Sequence, residues 1–167
     1  MAERTPAQPR SLGDGHARAD HRADHQVHQQ YGALVYHSQG PSEGGLWQVL
    51  LITSRQTRRW IIPKGWPMAG LTPEQTAAQE AWEEAGVKGT AFPRALGSYG
   101  YDKALPCEGW SHCRVEVYPL QMGKMEAQFP ECHERRRRWF HPEDAAAQVA
   151  EPELAQLIRC FDPRRLL

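Results

Sequence analysis

One helix is written into the chain at both of its ends, and the rest of the fold must be arranged around it. Thr72-Pro73-Glu74-Gln75 is a capping-box pattern with proline at the first helical position. Gly86 supplies the left-handed stop. Between them Glu80, Glu83 and Glu84 stand at i, i+3 and i+4, so three carboxylates share one face. Ala78, Ala81, Trp82 and Ala85 lie roughly opposite and offer a surface to bury. The acidic face is therefore expected to point away from the core. Like charges this close destabilise a helix unless a cation or a basic partner compensates.

Two readings compete for that face. Glutamate-rich helix faces are commonly no more than solvated surface. The flanking residues favour a site instead. Pro63-Lys64-Gly65 opens a loop that also holds Gly70, and Arg55, Arg58 and Arg59 precede it. Carboxylates that hold a hard cation, facing cationic side chains that hold phosphate, are the two halves of a metal-assisted phosphoryl-transfer site.

From Gly65 to Val87 the chain resembles the Nudix box, G-x5-E-x7-R-E-U-x-E-E-x-G-U, where U is a bulky aliphatic residue. Gly65, Glu80, Glu83, Glu84, Gly86 and Val87 match it. Leu71 replaces the first glutamate, Gln79 the arginine, and Ala81 the aliphatic residue after Glu80. Trp60-Ile61-Ile62-Pro63-Lys64-Gly65, with Trp139-Phe140 after the basic run Arg135 to Arg138, is similar to one branch of that family. That branch cleaves diphosphoinositol polyphosphates and diadenosine polyphosphates. The resemblance covers roughly Tyr31 to Phe161.

The resemblance implies that Glu80 and Glu84 are the core ligands of Mg²⁺ or Mn²⁺, with Glu83 assisting as ligand or base. The implied reaction is hydrolysis of a phosphoanhydride bond by a metal-activated water, in a small-molecule substrate of the diadenosine polyphosphate or diphosphoinositol polyphosphate type. Lys64, Arg55, Arg58 and Arg59, with Gly65, are the candidates for substrate phosphates. Guanidinium groups suit bidentate phosphate contacts, which ranks the arginines above Lys64. On an extended segment Arg58 and Arg59 point to opposite faces, and Arg59 is favoured because it adjoins the Trp60-to-Gly65 run. Leu71 cannot do what a glutamate does there. Gln79 can hydrogen-bond but brings no charge, so the acidic face loses a neutralising partner. Glu131 and Glu134 are auxiliary candidates.

Two rival functions remain on the same fold. One is a catalytically weak or silent module that binds phosphate ligands, favoured by Leu71 and Gln79. The other is a pyrophosphohydrolase of capped RNA 5′ ends, hinted at by Arg135 to Arg138 beside Trp139. If that run is extended, alternate members point the same way. Only two of the four then face the site, and solvated surface is the default for the others.

The chain has 167 residues, 40% of them hydrophobic, which allows one core domain and some tail. Its 20 lysines and arginines balance its 20 aspartates and glutamates, so nothing global argues for nucleic-acid or membrane affinity. No apolar run approaches the ~18 residues that span a bilayer, and a cytoplasmic location is expected. Cys107, Cys113, Cys132 and Cys160 show no C-x-x-C spacing and are expected to be free thiols. Residues 1–28 are polar, with His16, His21, His25 and His28 and a near repeat of Arg-Ala-Asp-His, and are expected to form a disordered tail before a domain at 29–167. Strands are expected at Tyr31–His37, Leu46–Thr53, Arg59–Ile62, Gly97–Tyr101 and Cys113–Leu120, with a turn at Ser38–Gly45 and a loop at Asp102–His112. Two helices broken at Pro152 should follow Pro142, the second with a stripe of Leu154, Leu157, Ile158 and Phe161. The class is α/β, and the resemblance makes it a Nudix-type α/β/α sandwich with a mixed sheet.

Overall fold

Successive side chains of a strand point to opposite sides of its sheet, and in this chain both sides are apolar. The computed structural model describes residues 26–38, 46–106 and 109–166. The expected tail, residues 39–45 of the expected turn, and Cys107 lie outside them, apart from the tail's last residues. Strand β1 (Val27–Ser38) sends Ala33 and Val35 to one core and Leu34 and Tyr36 to the other. Strand β2 (Trp47–Thr53) divides Leu50 and Ile52 from Val49 and Leu51 in the same way. The first core is closed by Ala77, Ala81 and Ala85 of helix α1 (Pro73–Ala85). The second is closed by Ala145 and Ala146 of α2 (Pro142–Gln148) and by Leu154 and Ile158 of α3 (Pro152–Cys160). The result is the expected α/β/α sandwich.

Around β1 the sheet is mixed. Its neighbours are β2, antiparallel through Tyr36↔Val49, and the long β7 (Gly109–Met125), parallel from Val27↔His112 to Tyr36↔Gln121. Strand β3 (Trp60–Ile61) pairs with β2, and the two-residue β4 (Lys64–Gly65) pairs with β1 at Tyr31 and Gly32. Strand β5 (Val87–Ala91) takes the far end of β7, and β6 (Gly97–Leu105) its near end. Strand β8 (Arg137–Phe140) lies along β2 from Val49 to Ile52.

The expected loop at Asp102–His112 is corrected by this pairing. Asp102↔His112 and Lys103↔Ser111 continue the β6–β7 ladder outward as a two-stranded ribbon. Neither face of a ribbon tip is buried, so its residues show no apolar alternation to read. The helix beginning at Thr72 forms as expected: Thr72 accepts from the Gln75 N–H at 3.4 Å, the Gln75 side chain accepts from the Thr72 N–H at 3.0 Å, and Gly86 sits at φ 67°. Pro152 separates α2 from α3, and Leu154, Ile158 and Phe161 are buried. Cys113, Cys132 and Cys160 are free thiols.

Candidate active site

Helix α1 does not present its carboxylates to bulk water. Glu80 and Glu84 are 9% and 8% exposed, which overturns the expectation that the acidic face points outward. The reason is the loop ahead of the helix. β4 is fixed on β1, and the backbone N–H of Lys64 donates to Glu84 Oε2 at 3.2 Å. Gly65 follows, and a Cβ there would run into the Glu80 carboxylate. Glycine at 65 therefore lets a charged side chain lie directly on the backbone.

A second correction concerns neutralisation. Gln79 donates to Glu83 at 2.7 Å, as a neutral residue one turn earlier can. The cation comes from elsewhere. Arg135, whose side chain is 5% exposed, donates to Glu84 Oε1 at 2.8 Å, to Glu131, and to the carbonyl of Thr53 at 3.1 Å. Arg137 follows it on the same side and donates to the carbonyl of Ala85, at the end of α1, at 2.7 Å and to that of Glu126 at 2.8 Å. Strand register explains the pair. Arg137 stands opposite Ile52, which faces α1, so 135 and 137 turn toward the helix while Arg136 and Arg138 are exposed. Two of the four turn toward α1, as alternation requires, but they are spent on internal contacts, while Arg136 lines a cleft beside Arg135.

Burial, followed by the charges of Glu84, Glu83 and Glu131, pushes Glu80 up to about 7. Burial also lifts Glu84 to about 7, against the lowering effect of Arg135 and Lys64. Lys64 is pushed down by burial, opposed by the charge of Glu84, and its ammonium lies 4.8 Å from the Tyr101 ring centre. Among the described residues the Glu80 carboxylate accepts no hydrogen bond, although its backbone lies within α1. No group of three or more His, Cys, Asp or Glu among them is gathered around one point. The fit to a hard cation rests on Glu80 and Glu84: two buried, oxygen-donor carboxylates that with Glu83 and Glu131 outnumber Arg135 and Lys64.

The three loop arginines do not converge. Arg55 pairs with Glu131 at 3.4 Å and Glu134 at 3.8 Å, and Arg58, at φ 56°, donates to the carbonyl of Glu134 at 2.8 Å. Both tether the 131–134 turn, which is also held on α1 by the Glu131 N–H to the carbonyl of Glu83 at 3.0 Å. Arg59 turns the other way, to Glu151 at 3.5 Å. A cleft of about 570 Å³ lies beside Arg135, lined by Thr53, Arg58, Trp60, His133 and Arg136 as well. Leu71 is 41% exposed and touches none of the acidic residues through a polar group. Arg135 and Glu151 are the residues sequence reasoning missed. The alternation argument pointed toward Arg135; Glu151 carried no local signal.

The family model of the NUDIX domain matches residues 28–161. Nudix hydrolase 16, mitochondrial, of Arabidopsis thaliana is 33% identical over 117 residues, which is 68% of this chain and 64% of that protein. Diphosphoinositol polyphosphate phosphohydrolase 3-beta of Homo sapiens is 35% identical over 105 residues, 59% of this chain and 57% of that one. The chain thus spans less than two thirds of the curated relatives it matches. A C. elegans Ap4A hydrolase in a binary complex shares the fold, with TM-score 0.57, 22% identity, and coverage of 80% of this chain and 93% of that one.

Proposed function

The chain belongs to the Nudix family, and from that premise we propose that it is a divalent-metal-dependent hydrolase of phosphoanhydride bonds in nucleoside-diphosphate-linked or polyphosphate substrates. The observation that carries the reading is the burial of Glu80 and Glu84 against the Lys64–Gly65 backbone, where Glu80 stands in the field of Glu83, Glu84 and Glu131 with Arg135, itself shared with Glu131, to offset them. Structural carboxylates seldom stay buried with less than matching positive charge, because the cost of desolvation exceeds what a single pairing returns.

In this assignment Glu80 and Glu84 hold Mg²⁺ or Mn²⁺. When bound, such a cation lowers the pKa of its water and neutralises charge on the diphosphate oxygens. Arg135 keeps Glu84 in one orientation by holding Oε1 while the Lys64 N–H holds Oε2. Glu83, oriented by Gln79, assists as ligand or as acceptor of the proton from the attacking water. Lys64 and the basic cleft with Arg58, Arg136 and His133 receive the phosphates. Arg59 is assigned to the distal part of the substrate. The RNA reading loses its support, because Arg135 and Arg137 are consumed internally and no continuous basic track remains from that run.

The test is a hydrolysis panel of diadenosine polyphosphate, diphosphoinositol polyphosphate and a nucleotide sugar, with Mg²⁺ and with chelator. Metal-dependent release of phosphate or nucleotide from at least one class is expected. Binding without turnover in millimolar Mn²⁺ would establish the silent-module reading instead, which Leu71 and the ungathered carboxylates favour.

A further inference from the structure

Two lysines beside the candidate site rest on aromatic rings and not on carboxylates. Lys64 holds its ammonium 4.8 Å from the centre of the Tyr101 ring, and Lys103 holds its own 4.9 Å from that of Trp66. Among the described residues neither ammonium forms an ion pair. The two contacts make one surface. Lys103 follows Tyr101 by two on β6, so both side chains leave the same face of that strand. Trp66 follows Lys64 by two where the chain leaves β4, and its indole meets the ribbon there. His28, at the start of β1, meets the same indole at 5.9 Å in a T-shaped contact.

This surface is open to a ligand. Trp66 is 40% exposed. Lys103 is half-buried on the ribbon, opposite Ser111, a level of β7 that β1 does not reach. It is also continuous with the diphosphate site. The Lys64 N–H donates to Glu84, and Gly65, between Lys64 and Trp66, lies against the Glu80 carboxylate. The charge of Lys103 acts on Lys64 as well. An ammonium on an exposed ring is held weakly, whereas a phosphate takes it in a charge-assisted hydrogen bond. A phosphate arriving at Lys64 therefore draws Lys103 off the indole. The face it leaves is free to stack another ring.

We propose that Trp66 is a stacking platform for a flat ring carried next to the substrate's phosphates, and that Lys103 is a displaceable guard on that platform, leaving it when phosphate binds. Phosphate and ring then help each other to bind although they touch different residues, and the help is reciprocal. This rests on the reading of Glu80 and Glu84 as the diphosphate site.

Two uncleavable half-ligands test it on the full chain in Mg²⁺: methylenediphosphonate for the phosphates, and ethenoadenosine, whose emission reports stacking, for the ring. Thermal melts verify that each variant folds. In the wild type, saturating diphosphonate should tighten the nucleoside about threefold, the scale of an exposed cation–π contact. Lys103→Ala should bind the nucleoside at the tightened level without diphosphonate, lose the coupling, and bind diphosphonate severalfold more weakly. Lys103→Arg should restore the coupling. Trp66→Leu should lose the nucleoside and keep its diphosphonate affinity. Weaker nucleoside binding in Lys103→Ala would mean that the ammonium itself holds the ring, and would overturn the proposal. So would nucleoside binding indifferent to diphosphonate in the wild type, wild-type nucleoside binding by Trp66→Leu, or no binding of either probe. If Trp66→Leu does not fold, loss of coupling in Lys103→Ala and its return in Lys103→Arg decide. Hydrolysis without coupling overturns this inference alone, and coupling without hydrolysis counts against the proposed reaction alone.

Discussion

Arg135 gathers two carboxylates from different segments, Glu84 on α1 and Glu131 on the turn after β7, and is itself nearly inaccessible. Arg135→Ala would leave Glu84 with Lys64 and Glu131 with the exposed Arg55, and remove the cation that joins them. Breaking one side of such a buried pair costs about 3–5 kcal/mol, so denaturant unfolding should show a loss of that order. A loss under about 1 kcal/mol would mean that water reaches the site freely. Glu84→Gln is the complementary change. It keeps the shape and an acceptor for Arg135, sets its amide NH2 against the Lys64 N–H, and removes the charge that would hold a cation, so kcat should fall by on the order of 10² while the chain still folds. Turnover near the wild-type value would refute the assignment of Glu84. The same pair sets a pH dependence. Glu80 and Glu84 are both raised to about 7, so the metal-free folded state binds protons more tightly than the unfolded chain. Their contribution to stability is complete below the ordinary carboxylate range and is lost as pH rises toward 7. Melting temperature measured in chelator should therefore fall between pH 5 and 7.5, and Glu80→Gln should flatten that slope.

At the level of single elements, α1 ends at a residue that admits no substitution. Gly86 sits at φ 67°, and a Cβ there would lie 2.6 Å from Phe129 Cδ1 and 2.8 Å from the carbonyl of Glu126. Gly86→Ala adds left-handed strain to overpacking, together about 2–4 kcal/mol; equilibrium unfolding should show it, with the m-value unchanged. These end signals were readable because caps are local: Thr72, Gln75 and Gly86 act within one turn of the chain. The strands were readable where both faces are buried and the apolar run is continuous, as in β1 and β2, and unreadable at the β6–β7 ribbon, where neither face is covered. The acidic face was placed correctly on the helix and wrongly in solvent, since its cover is a backbone loop with no apolar side chain to announce it. Arg135 finds Glu84 from 51 positions away. Such a pairing depends on the register of β8 against β2, which no local pattern encodes. Glu151 was hidden for the same reason, being positioned by a bridge to Trp60.

Over the whole molecule, one sheet carries a helical layer on each side, and the candidate site lies on only one of them. A cation bound at α1 stabilises the entire fold, because β1 and β2 contribute to both cores and the layers cannot unfold separately. At a hundredfold excess over Kd the gain is about 2.7 kcal/mol, or a rise of about 5–11 °C in melting temperature for a chain of this size. A Mg²⁺ or Mn²⁺ titration followed by thermal melting should show it in the wild type and lose it in Glu84→Gln. The same connectivity bears on how the chain is made. β1 leaves the ribosome before β7, its longest partner, with which it lies in parallel register through Tyr31↔Glu116. Until β7 has been synthesised, one edge of β1 carries unpaired amide and carbonyl groups beside Leu34, Val35 and Tyr36, a surface on which two nascent chains can join. Folding of so non-local a pairing is slow, and the yield on refolding should fall as protein concentration rises.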